Sequence, residues 1–204
     1  TQLDSLFHTQ SIKVPYSGAR FKEIDQAVNV AINANSDLKM VIRSLDIPIL
    51  DAQKDSVRYD NYPAYLYDNN LLNDVNYVFN KQILLEQTRG FVKMRRDNIE
   101  STGFDEYSSW GVDVTLGEIY KNVEYPDGKD TVEVRMFTDE DQKRVQENIR
   151  QNVVQTAVNN PQVTFYLFFP PYSCIFYDEL IREGKLDYQI AVQKCAIEEL
   201  IGYD

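Results

Sequence analysis

The groups that could do chemistry in this chain are few, and one scarcity restricts them most. His8 is the only histidine. A Ser-His-Asp or Cys-His arrangement needs an imidazole that takes and returns a proton near neutral pH. His8 precedes the first expected strand, away from the edge where a site is expected, and a surface or packing role is its simpler reading. Asp46, Asp60 and Asp68 could assemble a carboxylate-only metal site, but no ligand spacing demands one, so a solvated acidic loop is preferred and no metal or cofactor is expected. No GxxxxGK[ST] or GxGxxG phosphate loop occurs, which disfavours a nucleotide enzyme. Lys93, Arg95 and Arg96 form a small basic cluster, most simply a helix face or a counterweight to nearby acids. Tyrosines between 59 and 77 could stack on a carbohydrate. They could equally interlock as a cover, since Tyr buries large area while keeping a wet end, and the cover is favoured. Three short runs remain as candidates for a polar pocket: Ser17-Gly18, Ser44-Leu45-Asp46 and Tyr172-Ser173.

The elements expected to position these runs are strands of a parallel sheet. Residues 163–173 read VTFYLFFPPYS, a continuous apolar run that fits a strand buried on both faces. Pro170 and Pro171 have no N–H for a ladder and stop it. Tyr172 and Ser173 then stand past its carboxyl end, where open α/β sheets place ligands. Strands are also expected near 11–16 and 38–45. Between them, Phe21, Ile24, Val28, Ala31 and Ile32 form one helical stripe, giving a βαβ unit. Thr138 is a good N-cap, with Asp139, Glu140 and Asp141 in the first turn. Val145, Ile149, Val153 and Ala157 are the expected stripe of that helix. A last helix is expected from Leu186 to Leu200 with Ile190, Ala191, Ile197 and Ile201 inward and Gly202 as its C′ residue. Residues 51–137 read as a Tyr-rich insertion or cap, with a helix within 71–85 and turns at Gly103, Gly111, Gly117 and Tyr125-Pro126-Asp127-Gly128 around Trp110. The whole chain, 1–204, is expected to be one α/β domain with a mostly parallel sheet in a three-layer sandwich.

Composition fits this and narrows the partners. With 43% hydrophobic residues among 204, a substantial core can form. The net charge of −11 argues against nucleic acid or an anionic membrane as the main partner. No segment is long and apolar enough to span a bilayer. Cys174 and Cys195 have neither zinc nor CxxC spacing and are expected to be free buried thiols.

The alternation of elements and the three strand-end turns resemble the SGNH (GDSL-like) hydrolase superfamily. The likeness extends to an extracytoplasmic, membrane-anchored bacterial branch associated with acylation of cell-envelope polymers. It rests on the Pro-Tyr-Ser-Gly turn, the Ser-Leu-Asp strand end, the Arg-Tyr-Asp…Tyr-Leu-Tyr-Asp stretch and the Phe-Phe-Pro-Pro-Tyr-Ser strand end. The resemblance implies a flavodoxin-like or SGNH-like sandwich, with Gly18 as an oxyanion donor and Ser17, Ser44, Asp46, Tyr172 and Ser173 lining the pocket. It implies an esterase or O-acyltransferase domain, a cell-envelope polysaccharide or acyl donor as partner, and a bacterial cell-envelope location, with the cytoplasm as the alternative. Where the family carries an asparagine donor, Leu45 stands here, and Leu45 cannot bond an oxyanion. The family's nucleophile and Asp-x-x-His blocks have no counterpart in this chain. An interior fragment, inactive as given, is therefore expected. The rival reading is a non-catalytic binding or scaffold module that recognises a glycan or protein through its Tyr-rich insertion.

Overall fold

The computed structural model of the protein describes residues 2–60, 62–68, 70–99 and 132–203. Its elements run α1 (Gln2–Phe7), α2 (Phe21–Ala34), β1 (Met40–Ser44), α3 (Val75–Val78), α4 (Thr88–Arg96), α5 (Asp139–Ile149), α6 (Gln155–Asn159), β2 (Thr164–Phe168), α7 (Cys174–Arg182) and α8 (Leu186–Ile201). Short 3-10 turns lie at Ile47–Ile49 and Ala64–Tyr67. Two compact units are formed: Gly18–Tyr62 with Asp130–Asp204, and Thr1–Ser17 with Pro63–Lys129.

The first of these units has mixed α/β character. Its sheet has two parallel strands, with Met40 opposite Thr164 and Ser44 opposite Phe168. The ladder continues at both ends, from Thr164 N–H to the Lys39 carbonyl and from Leu45 N–H to the Phe168 carbonyl, each 2.8 Å. The β2 run is not buried on both faces, as its apolar sequence suggests. Val163, Phe165, Leu167 and Phe169 turn inward, while Thr164, Tyr166 and Phe168 are exposed. Apolar side chains on both faces record β-propensity here, and only one face meets helices among the described residues. The core behind that face joins Phe21, Leu45, Leu50, Val145, Ile149, Val153, Tyr188 and Val192.

The helix at Thr138 forms as the sequence dictates. Thr138 Oγ1 accepts from Asp141 N–H, and Asp141 Oδ2 accepts from Thr138 N–H, a reciprocal cap. Val145, Ile149 and Val153 are buried, but the helix widens into π geometry over Arg150–Val154 before α6. Helix α8 turns a different face inward from the expected one. Ile190, Ile197 and Ile201 are exposed, and Tyr188, Val192, Cys195, Ala196 and Glu199 are buried. Both stripes have helical spacing, and the partner surface on α5 selects between them. Gly202 takes φ −69°, an ordinary helical value, so the left-handed C′ role is not used. Cys195 is buried, whereas Cys174 is exposed at the start of α7.

In the other unit, residues 11–16 form no strand. They have no regular secondary structure, and Ile12, Val14 and Tyr16 are exposed. Asp4 in α1 accepts from Ser11 N–H and Oγ, both at 2.6 Å, which fastens the segment by a side chain instead. His8 is exposed beside α1. The helix expected within 71–85 is broken after α3, and a continuous helical run resumes over 81–96, π-type at Gln82–Gln87. The expected turns at Gly103, Gly111, Gly117 and 125–128, with Trp110, lie outside the described residues.

Candidate functional site

The carboxyl ends of β1 and β2 lie side by side because the strands are parallel and in register. Asp46 stands two residues past β1 and Tyr172 four past β2, so they follow adjacent strand ends. Burial raises the Asp46 carboxyl above its ordinary value. Burial also raises the Tyr172 phenol, helped by the Asp46 charge and by Tyr177. The Tyr172 ring packs on Phe176 at 4.4 Å between centroids. Ser173 is the N-cap of α7, its Oγ accepting from Phe176 N–H at 3.4 Å, so it is occupied in starting a helix. Ser44 is half-buried at the end of the ladder, and Leu45 is buried in the core. Ser17 is exposed and ends the other unit.

Gly18 has φ +72°, a left-handed conformation that glycine adopts without the Cβ penalty. A Cβ there would lie 2.6 Å from a terminal guanidinium nitrogen of Arg58, so the glycine also admits that side chain. The turn is fixed from beneath by Glu23. Buried to 1% exposure, its Oε2 accepts from Arg20 N–H at 2.8 Å and from Arg58 N–H at 3.0 Å.

Between this turn and the exit of β1 lies an open cleft of about 310 Å³ lined by Arg20, Pro48, Asp51, Ala52, Gln53, Ser56 and Val57. The far wall is held by a row of side chains along α5 and the π-helical turn Arg150–Val154 that follows it. Arg144, Asn148 and Asn152 recur at every fourth residue beside the apolar stripe. Arg144 donates to the Asp51 carbonyl at 2.8 Å, and Asn148 to the carbonyls of Ile49 at 3.1 Å and Leu50 at 3.0 Å. Asn152 donates to the Lys54 carbonyl at 2.7 Å, and Gln189 of α8 to that of Ile47 at 3.1 Å. The irregular backbone after β1 thus has its polar groups satisfied by side chains instead of by a ladder.

Asp51 is also held by its carboxylate. Tyr188 Oη donates to Asp51 Oδ2 at 2.7 Å and accepts from Arg135 at 2.7 Å. Asp141 Oδ1 lies 3.2 Å from the same hydroxyl and pairs with the Arg144 guanidinium. Arg135 stacks over the Tyr188 ring, 3.7 Å from its centroid. Burial, the bond to Asp51 and the Asp51 charge push the Tyr188 phenol far above its usual range. Burial acts upward on Asp141 too, but bonds from Thr138 and Tyr188 and the Arg144 charge outweigh it and hold the carboxyl at about 2. Two carboxylates, two guanidiniums and one phenol therefore balance. Near neutral pH, Tyr188 is a fixed donor that orients Asp51 and is not a base.

The structure accordingly places Asp46 and Tyr172 past adjacent strand ends, and Gly18 two residues from Arg20, which lines the cleft with Pro48. Asp51, Tyr188, Arg135, Asp141 and Arg144 were not among the sequence candidates. A signal existed in the i, i+4, i+8 polar row Arg144, Asn148 and Asn152, but nothing in the chain order announces a partner 137 residues away, as Asp51 is from Tyr188. Among the described residues, no group of three or more His, Cys, Asp or Glu side chains could hold a metal ion. Protein-family models, curated proteins and solved structures were compared with the chain, and none matches it.

Proposed function

We propose that this chain is the ligand-orienting part of an SGNH-like esterase or O-acyltransferase domain, acting on an acylated cell-envelope polymer and inactive in acyl transfer by itself. In this reading the two parallel strands belong to a three-layer sandwich, and their carboxyl edge is the polymer-binding edge. The observation that carries it is the side-by-side exit of β1 and β2 in parallel register, with Asp46 and Tyr172 just past the two ends, the position where α/β sheets receive ligands. The cleft beside Gly18 and Arg20 extends that edge with a cation, the oriented Asp51 carboxylate and the amide of Gln53, a set suited to sugar hydroxyls and an ester carbonyl. Gly18 supplies the oxyanion-side backbone and the other groups bind.

The alternative, a non-catalytic module for a glycan or protein, is favoured by one feature. The strand-end hydroxyls serve structure, with Ser173 capping α7, and no described hydroxyl is paired with an imidazole. Hydrolysis of p-nitrophenyl acetate by the full-length protein, with and without a serine-directed phosphonate, separates the two. Phosphonate-sensitive turnover that falls at least tenfold in Asp46→Ala supports the acyl-transfer reading. Turnover indifferent to the phosphonate, or none at all alongside retained glycan binding, would remove it in favour of the binding module.

A further inference from the structure

The segment 132–137 has no regular secondary structure and leads into the Thr138 cap of α5. It crosses the turn between α7 and α8, where Gly184 lies against it. A Cβ at Gly184 would stand 2.8 Å from the Glu133 carbonyl oxygen and 3.2 Å from the Val134 Cα, and φ there is +65°. Glycine meets both demands because it has no Cβ. Among the described residues one backbone hydrogen bond fastens the segment to that turn, from Arg135 N–H to the Gly184 carbonyl at 3.0 Å. Val134 and Met136 are 56% and 73% exposed, so burial adds little to the hold. Phe137, at the end of the segment, packs on the core beside the Tyr188 ring and is its fixed point. The remaining grip is the Arg135 side chain. Besides its bond to Tyr188 Oη and its stacking on that ring, it lies 3.8 Å from Asp51 Oδ2 and 3.5 Å from Asp141 Oδ1.

That one side chain ties the segment to the cleft. Tyr188 Oη has a single proton and two carboxylate oxygens within reach, Asp51 Oδ2 at 2.7 Å and Asp141 Oδ1 at 3.2 Å. With Arg135 in place, its charge lies beside both acids and its N–H occupies a lone pair of the hydroxyl. With Arg135 lifted, the two acids keep one guanidinium, Arg144, and compete for one proton. We infer that residues 132–136 are a strap whose docking, through Arg135, fixes the Asp51 wall of the cleft, so that strap and cleft change state together. Docked, the strap holds the Tyr188–Asp51 bond in one arrangement. Lifted, it frees the Asp51 carboxylate for a donor in the cleft. By reciprocity, a ligand that draws Asp51 away from Tyr188 weakens the docking of the strap by the same factor. The coupling concerns how the cleft is set, whatever its ligand undergoes, and so is independent of the acyl-transfer reading.

Amide hydrogen exchange of the full chain, followed residue by residue, tests the coupling. The Arg135 amide reports the strap through its bond to Gly184, and the Ala52 and Ser56 amides report the cleft wall through their bonds to the Ile49 and Gln53 carbonyls. Asp51→Asn keeps the shape of the wall, yet is expected to speed exchange at Arg135 by about fivefold or more, with the α5 amides unchanged. Gly184→Asn keeps a residue that tolerates positive φ but puts a Cβ against the Glu133 carbonyl. It is expected to lift the strap and speed exchange at Ala52 and Ser56. Tyr188→Phe removes the connecting hydroxyl, and in that background the effect of Asp51→Asn on Arg135 is expected to shrink. An Arg135 amide that Asp51→Asn leaves unmoved would overturn the inference. Equal acceleration throughout α5, the mark of a global loss of stability, would do the same, as would an Asp51→Asn effect that persists in full beside Tyr188→Phe.

Discussion

Asp141 shows how one carboxylate can be a cap, an ion-pair partner and a stability switch. Folded, it titrates at about 2, against 3.8 for the free group. Its folded value is the lower one, so its contribution is complete above about pH 4 and is lost as the pH falls from 3.8 towards 2. Urea midpoints of the wild type and Asp141→Asn, measured across that range, are expected to converge as the acid is approached. Curves that stay parallel would refute the assignment. Asp25 acts with the opposite sign. Burial raises its carboxyl, against bonds from Thr156 and Asn29 and the Arg43 charge, so protonation relieves a cost there. The Asp141 role was legible in sequence as the third residue after Thr138, because capping is a local matter. Its tie to Tyr188 was not, because that bond joins residues 47 apart whose meeting depends on two helices packing.

Between elements, the most informative junction is where β1 meets the π-helical turn of Arg150–Val154. A π turn withdraws carbonyls from the regular i+4 ladder, and the carbonyl of Asn152 accepts from Arg43 at 2.7 Å. Arg43 is 7% exposed, its guanidinium lies 5.1 Å from the Phe21 ring centroid, and burial lowers its pKa to about 10. Its Nε has no partner, so the arginine bears an uncompensated desolvation cost alongside its bonds. Truncation in Arg43→Ala leaves both a cavity and an orphan carbonyl, and is expected to cost about 3 kcal/mol in urea unfolding. Arg43→Met fills the space without burying a charge and is expected to lose less than half as much. A methionine variant as unstable as the alanine variant would show that the guanidinium bonds dominate. An arginine in the middle of an expected strand carried no sign that it would be buried. It needed a helix distortion on the far side of the core to give it a partner.

At the scale of the molecule, the sheet has two unequal faces, and stability measurements can tell them apart. Leu45 is 1% exposed in the core, whereas Phe168 on the opposite side of the sheet is 47% exposed. Leu45→Ala is expected to cost between about 2 and 5 kcal/mol, and Phe168→Thr to change stability by less than about 1 kcal/mol. Comparable losses from the two would mean that the outer face is packed.

The sequence by itself determined the local elements. Phe21 to Ile32 make a one-sided helix, Thr138 and Asp141 start another, and Pro170 and Pro171 end a strand. Each follows from propensity, capping or periodicity within a few residues. Tertiary structure decided which apolar stripe of α8 turns inward and that residues 11–16 form no strand. It also decided that β2 keeps an open face, and that Asp51 is held by a phenol 137 residues away. Those outcomes depend on which surface reaches which partner. An apolar or polar row specifies only that it needs a partner, and packing at close range chooses it.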